Sequence, residues 1–250
     1  MNTPHDTLRI ATYNIHKGVQ GLGPRRRLEI HNLGHAVEQL DADIVCLQEV
    51  RKLHRRQQQY FTQWPELPQA EFLAPEGYEA IYRTNAVTRH GEHGNALLSR
   101  WPVLAHRHED MSDHRFEQRG LLHVEVDVQG RVVHVIVVHF GLLPASRMRQ
   151  VEQLGRYIDR EVPAAAPLVV AGDFNDWGEK LDGPMTAIGL RRARAGTERA
   201  QRTFPSAVPL FALDRVYTRG LQCVATTVPR NAGWARMSDH LPLVVDLQLD

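Results

Sequence analysis

The chain has 250 residues, 42% hydrophobic and 24% charged, the balance of an ordinary globular protein with a sizeable core. Lys and Arg number 30 against 29 Asp and Glu, a formal net charge of +1, which argues against a strongly electrostatic duplex-DNA binder. Two cysteines exclude a disulfide framework, and no run reaches the ~18 apolar residues of a membrane span. Met1–Asp6 carry no apolar signal segment, so a reduced, cytoplasmic setting is expected. With no linker, low-complexity tract or shift in composition, residues 1–250 read as one domain with a core over about 8–249, expected to act as a monomer.

In chain order, Leu8–Tyr13 reads as a buried strand. Leu28–Leu40 places Ile30, Leu33, Val37 and Leu40 at helical spacing, and Ala42–Val50 is again β-rich. Val50–Gly77, rich in Gln, Arg and Pro, predicts a helix and long loops over the site. Tyr78–Arg83, Asn95–Ser99 and Val103–His108 read as short strands. Leu121–Val128, a Gln129-Gly130 turn and Val132–His139 predict a hairpin. Ser146–Arg160 is a helix with Ser146 as its N-cap, and Pro167–Ala171 is a short strand. Leu213–Thr218, Leu221–Val228 and Leu241–Leu249 supply the last strands. Strands outnumber helices, and both crossovers and hairpins occur, which favours a mixed-sheet α/β (α+β) sandwich over a doubly wound parallel sheet.

Four short motifs fall where strand-like runs stop: Thr12-Tyr13-Asn14, Leu47-Gln48-Glu49-Val50, Gly172-Asp173-Phe174-Asn175 and Ser238-Asp239-His240-Leu241-Pro242. In α/β sheets, sites gather beyond the carboxyl ends of strands. Carboxylate and amide oxygens suit a hard divalent cation, and a scissile phosphate needs that cation, an imidazole and a positioned water. Each motif alone has a bland alternative. Glu49 reads equally as a surface charge, Asn14 as a turn residue, Asp214 as half of a surface ion pair with Arg215, and His139 as a core histidine.

Together and in this order, with His93-Gly94-Asn95, Arg119-Gly120, Val138-His139 and Leu213-Asp214-Arg215-Val216, the motifs resemble the endonuclease/exonuclease/phosphatase superfamily from about Leu8 to Leu249. The resemblance implies a DNase I-like, four-layer α/β/β/α sandwich. It implies Mg²⁺, with Mn²⁺ as a substitute, held mainly by Glu49 with Asn14 and Asp239. Asp173 then aligns and deprotonates the attacking water while Asn175 holds it in line. His240 donates to a phosphate oxygen, and Asp214 fixes its tautomer. His139 protonates the leaving oxygen or stabilises the pentacovalent phosphorus. Arg119 engages phosphate, although a structural ion pair competes. Lys17, Asn95 and Trp177 are candidate substrate contacts, with Arg83, Asn85, His93, Thr203 and Phe204 as weaker ones.

One departure matters: His16 stands where the superfamily's apurinic-site endonucleases usually place an Asp. The sequence looks closer to a bacterial branch of undefined substrate. The expected partner is a small-molecule or lipid phosphoester. Nucleic acid is open but not favoured, and the basic clusters Arg25-Arg26-Arg27, His54-Arg55-Arg56 and Arg191-Arg192 leave contact with a membrane surface open.

Overall fold

The computed structural model describes residues 7–21, 23–196 and 199–249. Met1–Asp6, where the lack of a leader was read, lie outside these residues. In chain order the first half comprises β1 (Thr7–Asn14), β2 (Val19–Gln20), β3 (Arg27–Leu28), α1 (Ile30–Leu40), β4 (Ile44–Val50), α2 (Arg55–Tyr60), α3 (Gln69–Leu73), β5 (Glu79–Thr88), β6 (Gly91–Ser99) and β7 (Val103–Asp110). The second half comprises β8 (Gly120–Val128), β9 (Arg131–His139), α4 (Pro144–Glu161), β10 (Leu168–Asp173), α5 (Asp182–Ala187), β11 (Arg191–Arg192), β12 (Asp214–Arg219), β13 (Gln222–Thr227), α6 (Trp234–Met237) and β14 (Leu243–Gln248).

Two six-stranded mixed sheets form, in the orders β13-β14-β1-β4-β6-β5 and β11-β12-β10-β9-β8-β7. They share a design. Each has a central parallel pair, β1 with β4 and β9 with β10, flanked by an antiparallel strand, β14 or β12. The carboxyl ends of the parallel strands and the amino ends of β12 and β14 therefore lie at the same end of each sheet. His139 pairs in register with Asp173, and Asp173 with Asp214.

Period-two alternation separates two cores. Val135, Val137, Val169, Ala171 and Val216 pack inward with the first sheet, in the cluster that also takes Ile30, Leu33, Val37 and Leu40 of α1. Ile136, Val138, Leu168, Val170 and Tyr217 face outward against Val151, Leu154, Tyr157 and Ile158 of α4. Helix, sheet, sheet and helix make the four layers.

Several boundaries differ from the sequence reading. Helix α4 starts at Pro144, whose fixed φ and missing N–H suit the first helical turn, with Leu143 as N-cap. Ser146 is thus inside the helix, and its hydroxyl donates to Asp113 Oδ2 at 2.6 Å. Leu28 pairs with Val19 in a small ladder, so α1 begins only at Ile30. The strands read at Tyr78–Arg83 and Asn95–Ser99 are the proximal halves of one longer hairpin, β5–β6. Val50–Gly77 yields two short helices, of which α3 packs against α1 and β5.

Arg215, at the second position of β12, is fully buried and anchors the loop after β10. Its guanidinium donates to Asp176 Oδ2 at 2.9 Å and to the Asp176 carbonyl at 2.9 Å. The surface ion pair with Asp214 considered above does not form; Asp214 faces elsewhere. Removing one partner of a buried pair strands the other charge. Asp176→Ala is therefore expected to cost about 3 kcal/mol or more, with Asp176→Asn costing less. Urea unfolding checks it, and equal stabilities for wild type and Asp176→Ala would contradict the anchoring role.

Candidate active site

The seam between the two sheets gathers the polar residues that end the strands. Asp173, the last residue of β10, is almost fully buried. Its Oδ2 accepts from Asn14 Nδ2 at 3.1 Å, so the last residue of β1 reaches across to the other sheet. Oδ1 accepts from the Asn175 backbone N–H at 2.9 Å, closing a tight turn. His139 Nε2 lies 3.5 Å and His240 Nε2 3.7 Å from the same Oδ2. The Nδ1 of His240 sits 2.8 Å from Asp214 Oδ2, which also accepts from Thr203 Oγ1 at 2.6 Å. Phe204 packs on the His240 ring at 4.8 Å. Ser238 Oγ donates to the Asn14 carbonyl at 2.6 Å and fixes the turn that presents Asp239 and His240.

Glu49 is delivered by a β-bulge. The β4–β6 register shifts between Leu47 and Val50, and Glu49 adopts φ 56°. A bulge re-aims a side chain and interrupts pairing. Four of the seven non-glycine residues with positive φ among those described are His16, Lys17, Glu49 and Asn175. Such strain persists only where the surroundings hold it, and it concentrates at functional sites. Gly172 is constrained differently: a Cβ there would meet the Val138 carbonyl oxygen at 1.9 Å, so β9 and β10 approach only because no side chain intervenes.

Around this centre, the Lys17 ammonium pairs with Glu49. His16 Nδ1 lies 3.2 Å from Asp239 Oδ1. Arg119 donates from Nε to the Phe140 carbonyl at 3.2 Å and from a terminal nitrogen to Glu117 Oε1 at 3.0 Å, so its guanidinium is already engaged by protein groups. Asn95 is fully buried. Its amide nitrogen donates to the Gly120 and Val137 carbonyls at 2.9 and 3.2 Å, joining the sheets, while its Oδ1 has no partner among the described residues. Trp177 is partly exposed and packs edge-on against Phe204 and Phe211. Asn175 Nδ2 donates to the Phe140 carbonyl at 2.9 Å.

Thr203 therefore bonds Asp214 and Phe204 packs on His240, whereas in the sequence both were weaker candidates for substrate contact. Ser238 entered only as part of its motif, Arg215 only as a possible partner for Asp214 and Asp176 not at all, because nothing near them in sequence signals their distant partners. A cavity of about 520 Å³ lies elsewhere, between Glu29, Asn32 and Trp234, and contains none of these residues.

The electrostatics separate the two imidazoles. Burial alone lowers the pKa of His240, but the Asp214 and Asp173 carboxylates outweigh it and push it up to about 10. Burial drives His139 the other way, well below the usual histidine value, and the Arg119 charge adds to that. Burial lifts Asp173 to about 6, with the Asp214 charge adding to it and His240 opposing. Glu49 is held well below the usual carboxylate range: burial opposes this, but the charge and hydrogen bond of Lys17 prevail. Burial likewise opposes, and His16 and His240 prevail, in depressing Asp239.

Asp173, Asp214 and His240 present ligand-type atoms within 4.8 Å of one another. That trio is closed by its own hydrogen bonds and suits proton handling. Glu49, paired with Lys17, and Asp239, 3.2 Å from His16 Nδ1, are oxygen donors with the chemistry of a hard-cation site, and Asn14 Oδ1 accepts from the His16 N–H next to them.

Two mixed sheets meeting at such a seam define the DNase I-like class of proteins. The chain belongs to the endonuclease/exonuclease/phosphatase family, whose sequence model matches residues 11–240. Members are generally phosphoesterase or nuclease hydrolases and commonly use divalent metals. The chain is 36% identical over 258 residues to a protein of Escherichia coli K12 known as the uncharacterized protein YbhP, covering 99% of this chain and 98% of the relative. The solved structure of an endonuclease/exonuclease/phosphatase from Bacteroides vulgatus matches 98% of this chain and 99% of its own with a TM-score of 0.74 at 20% identity. A shorter likeness, 27% identity over 114 residues, covers 38% of this chain and 19% of the sphingomyelinase C of Leptospira interrogans.

A histidine whose pKa is raised on folding stabilises the fold fully below its unfolded value of ~6.5. That contribution is lost as pH rises through about 10. Histidine NMR of the metal-free protein should therefore find His240 charged across neutral pH. Asp214→Asn is expected to lower that titration, and an unmoved His240 midpoint would refute the coupling.

Proposed function

We propose that this protein is a Mg²⁺-dependent phosphoesterase that cleaves a phosphodiester or phosphomonoester bond by in-line attack of an activated water. The observation that carries this reading is the convergence of Asn14, His139 and His240 on the Asp173 carboxylate, with Asp214 behind His240. A buried carboxyl titrating near 6 is deprotonated at neutral pH and basic enough to take a proton from water. His240, cationic and oriented through Nδ1, has its Nε2–H free to stabilise charge developing on phosphate oxygens. His139, held neutral, is suited to donate a hydrogen bond to the pentacovalent phosphoryl group more than to protonate a leaving oxygen. Asn175 and Asn14 orient the groups around Asp173. A divalent cation would be held by Glu49 with Asp239 and Asn14 and would supply the charge that neutralises the phosphate. Lys17 and Arg119 would be further contacts to the phosphate.

The substrate reading favours a small or lipid-type phosphoester. Exposed apolar side chains stand on the loops that leave the site end of the sheets: Phe116 before β8, Leu142 and Leu143 after β9, Trp177 after β10, and Leu210 before β12. Such a rim suits an apolar or interfacial substrate better than a polyanion. The near-zero net charge and the limited likeness to a sphingomyelinase C point the same way.

Activity assays with Mg²⁺ and with chelator test the chemistry. Chelator should abolish turnover, and Glu49→Ala should lower kcat by roughly two orders of magnitude or more with an unchanged circular-dichroism spectrum. Full turnover in chelator would sink the metal mechanism. With His16 in place of a carboxylate, calorimetry should find one tight Mg²⁺ site, and two equally tight sites would contradict that.

Specificity is decided by kcat/KM on phospholipid headgroup diesters, small phosphoesters, and duplex and single-stranded DNA. The highest values are expected outside DNA, with weak duplex binding. Efficient duplex cleavage, with affinity falling steeply as salt rises, would make the protein a nuclease.

A further inference from the structure

A second group of ligand-type side chains converges away from the catalytic seam. Glu125 of β8 is the register partner of His134 of β9, and His123 lies two residues before Glu125. Strand alternation therefore puts all three on the outer face of the second sheet, beneath α4. One ligand atom from each lies within 4.8 Å of the others. The Nε2 of His123 and the Nδ1 of His134 are 2.9 Å apart, and the Tyr157 hydroxyl of α4 is 3.0 Å from His123 Nδ1. Both imidazoles are buried, and the Glu125 side chain is partly exposed. His134 pairs with Leu168 at the start of β10, while His139 pairs with Asp173 at its end. Five strand residues, roughly 16 Å, separate this group from the catalytic carboxylate.

We propose that His123, Glu125 and His134 form a binding site for a transition-metal ion of the Zn²⁺ class, distinct from the catalytic cleft. The two imidazole nitrogens 2.9 Å apart share a proton in a hydrogen bond, and an ion bound to both would replace that proton as the rings part by a few tenths of an ångström. Tyr157 can accept from His123 Nδ1–H, which leaves Nε2 as a lone pair aimed at His134 and fixes the ring as an outer partner does for metal-bound histidines. Both rings are buried, an environment that suits the neutral, ligating imidazole. Two imidazoles and one carboxylate suit Zn²⁺, whereas Mg²⁺ prefers oxygen alone, so the two sites select different ions. Arg107 now pairs with Glu125 and must release it; Glu161 Oε2, 3.6 Å from Arg107 Nε, is a ready second partner. The bound ion would tie β8 to β9 where α4 crosses them.

The test uses the full chain, stripped by chelator and then titrated with Zn²⁺ or Co²⁺ in excess Mg²⁺. A His240→Ala background removes the catalytic trio as a competing ligand set. The expected result is one equivalent bound, a Co²⁺ visible spectrum with imidazole ligation, and a rise in Tm. His134→Ala should lose the equivalent and the Tm rise, while a circular-dichroism spectrum like the parent's reports folding. Should that variant fail to fold, Glu125→Gln carries the test and should weaken Zn²⁺ binding at least about tenfold. No uptake in excess Mg²⁺, or uptake unchanged in either folded variant, overturns the proposal and leaves a hydrogen-bonded histidine pair only. The readout needs no turnover, so it is independent of the catalytic reading.

Discussion

The carboxylate of Asp214 is the constraint on which the site depends. It is fully buried at the first position of β12, beside Asp173 in the ladder. A lone charge there is costly, and an opposite charge must be held against it. His240 meets that need at 2.8 Å, and it comes from the other sheet, on the turn that leads into β14. The same pair therefore clamps the sheets and decides the charge of the imidazole. Asn14 and Asp173 repeat the arrangement, one residue from each sheet. The seam is at once a structural joint and the proposed reaction centre.

The protonation states of the surrounding groups follow from this. Two imidazoles stand 3.5 and 3.7 Å from one Asp173 oxygen, and they take opposite forms. His240 has a buried anion behind it and stays charged; His139 has burial and the Arg119 guanidinium against it and stays neutral. A site with both rings charged would hold Asp173 as a weak base; with both neutral, it would leave phosphate charge unanswered. Placing one anion behind one ring separates the roles.

Much of this was legible in the sequence, because the residues concerned sit at strand ends. Leu8–Tyr13, Ala42–Val50 and Val132–His139 carry apolar runs that announce strands, and the polar residue that stops each run marks the mouth of the sheet. The mixed-sheet sandwich followed from the mixture of hairpins and crossovers, and its two sheets and four layers from the family resemblance. What the sequence did not disclose are couplings that cross between elements. Thr203 lies in an irregular loop, yet its hydroxyl bonds Asp214. Arg215 looked like a partner for its neighbour, but strand alternation sends adjacent side chains to opposite faces, so Asp214 meets His240 and Arg215 meets Asp176. Ser146 has the chemistry of an N-cap, but Pro144 starts the helix two residues earlier.

The backbone of the site was equally hidden. Glu49 reads as the next residue of a continuous strand, but the bulge gives it a left-handed φ and breaks its alternation with Gln48. Gln48 meanwhile stays in the wall, donating to Thr12 Oγ1 at 3.1 Å and holding β1 to β4. Asn175 adopts a similar φ just after β10, where Asp173 Oδ1 accepts its N–H. Each strained residue is thus flanked by one whose hydrogen bonds pin the chain, Gln48 before Glu49 and Asp173 before Asn175. The rigid neighbour lets the strained one persist, and the strain turns a carboxylate and an amide out of their strands toward the common seam.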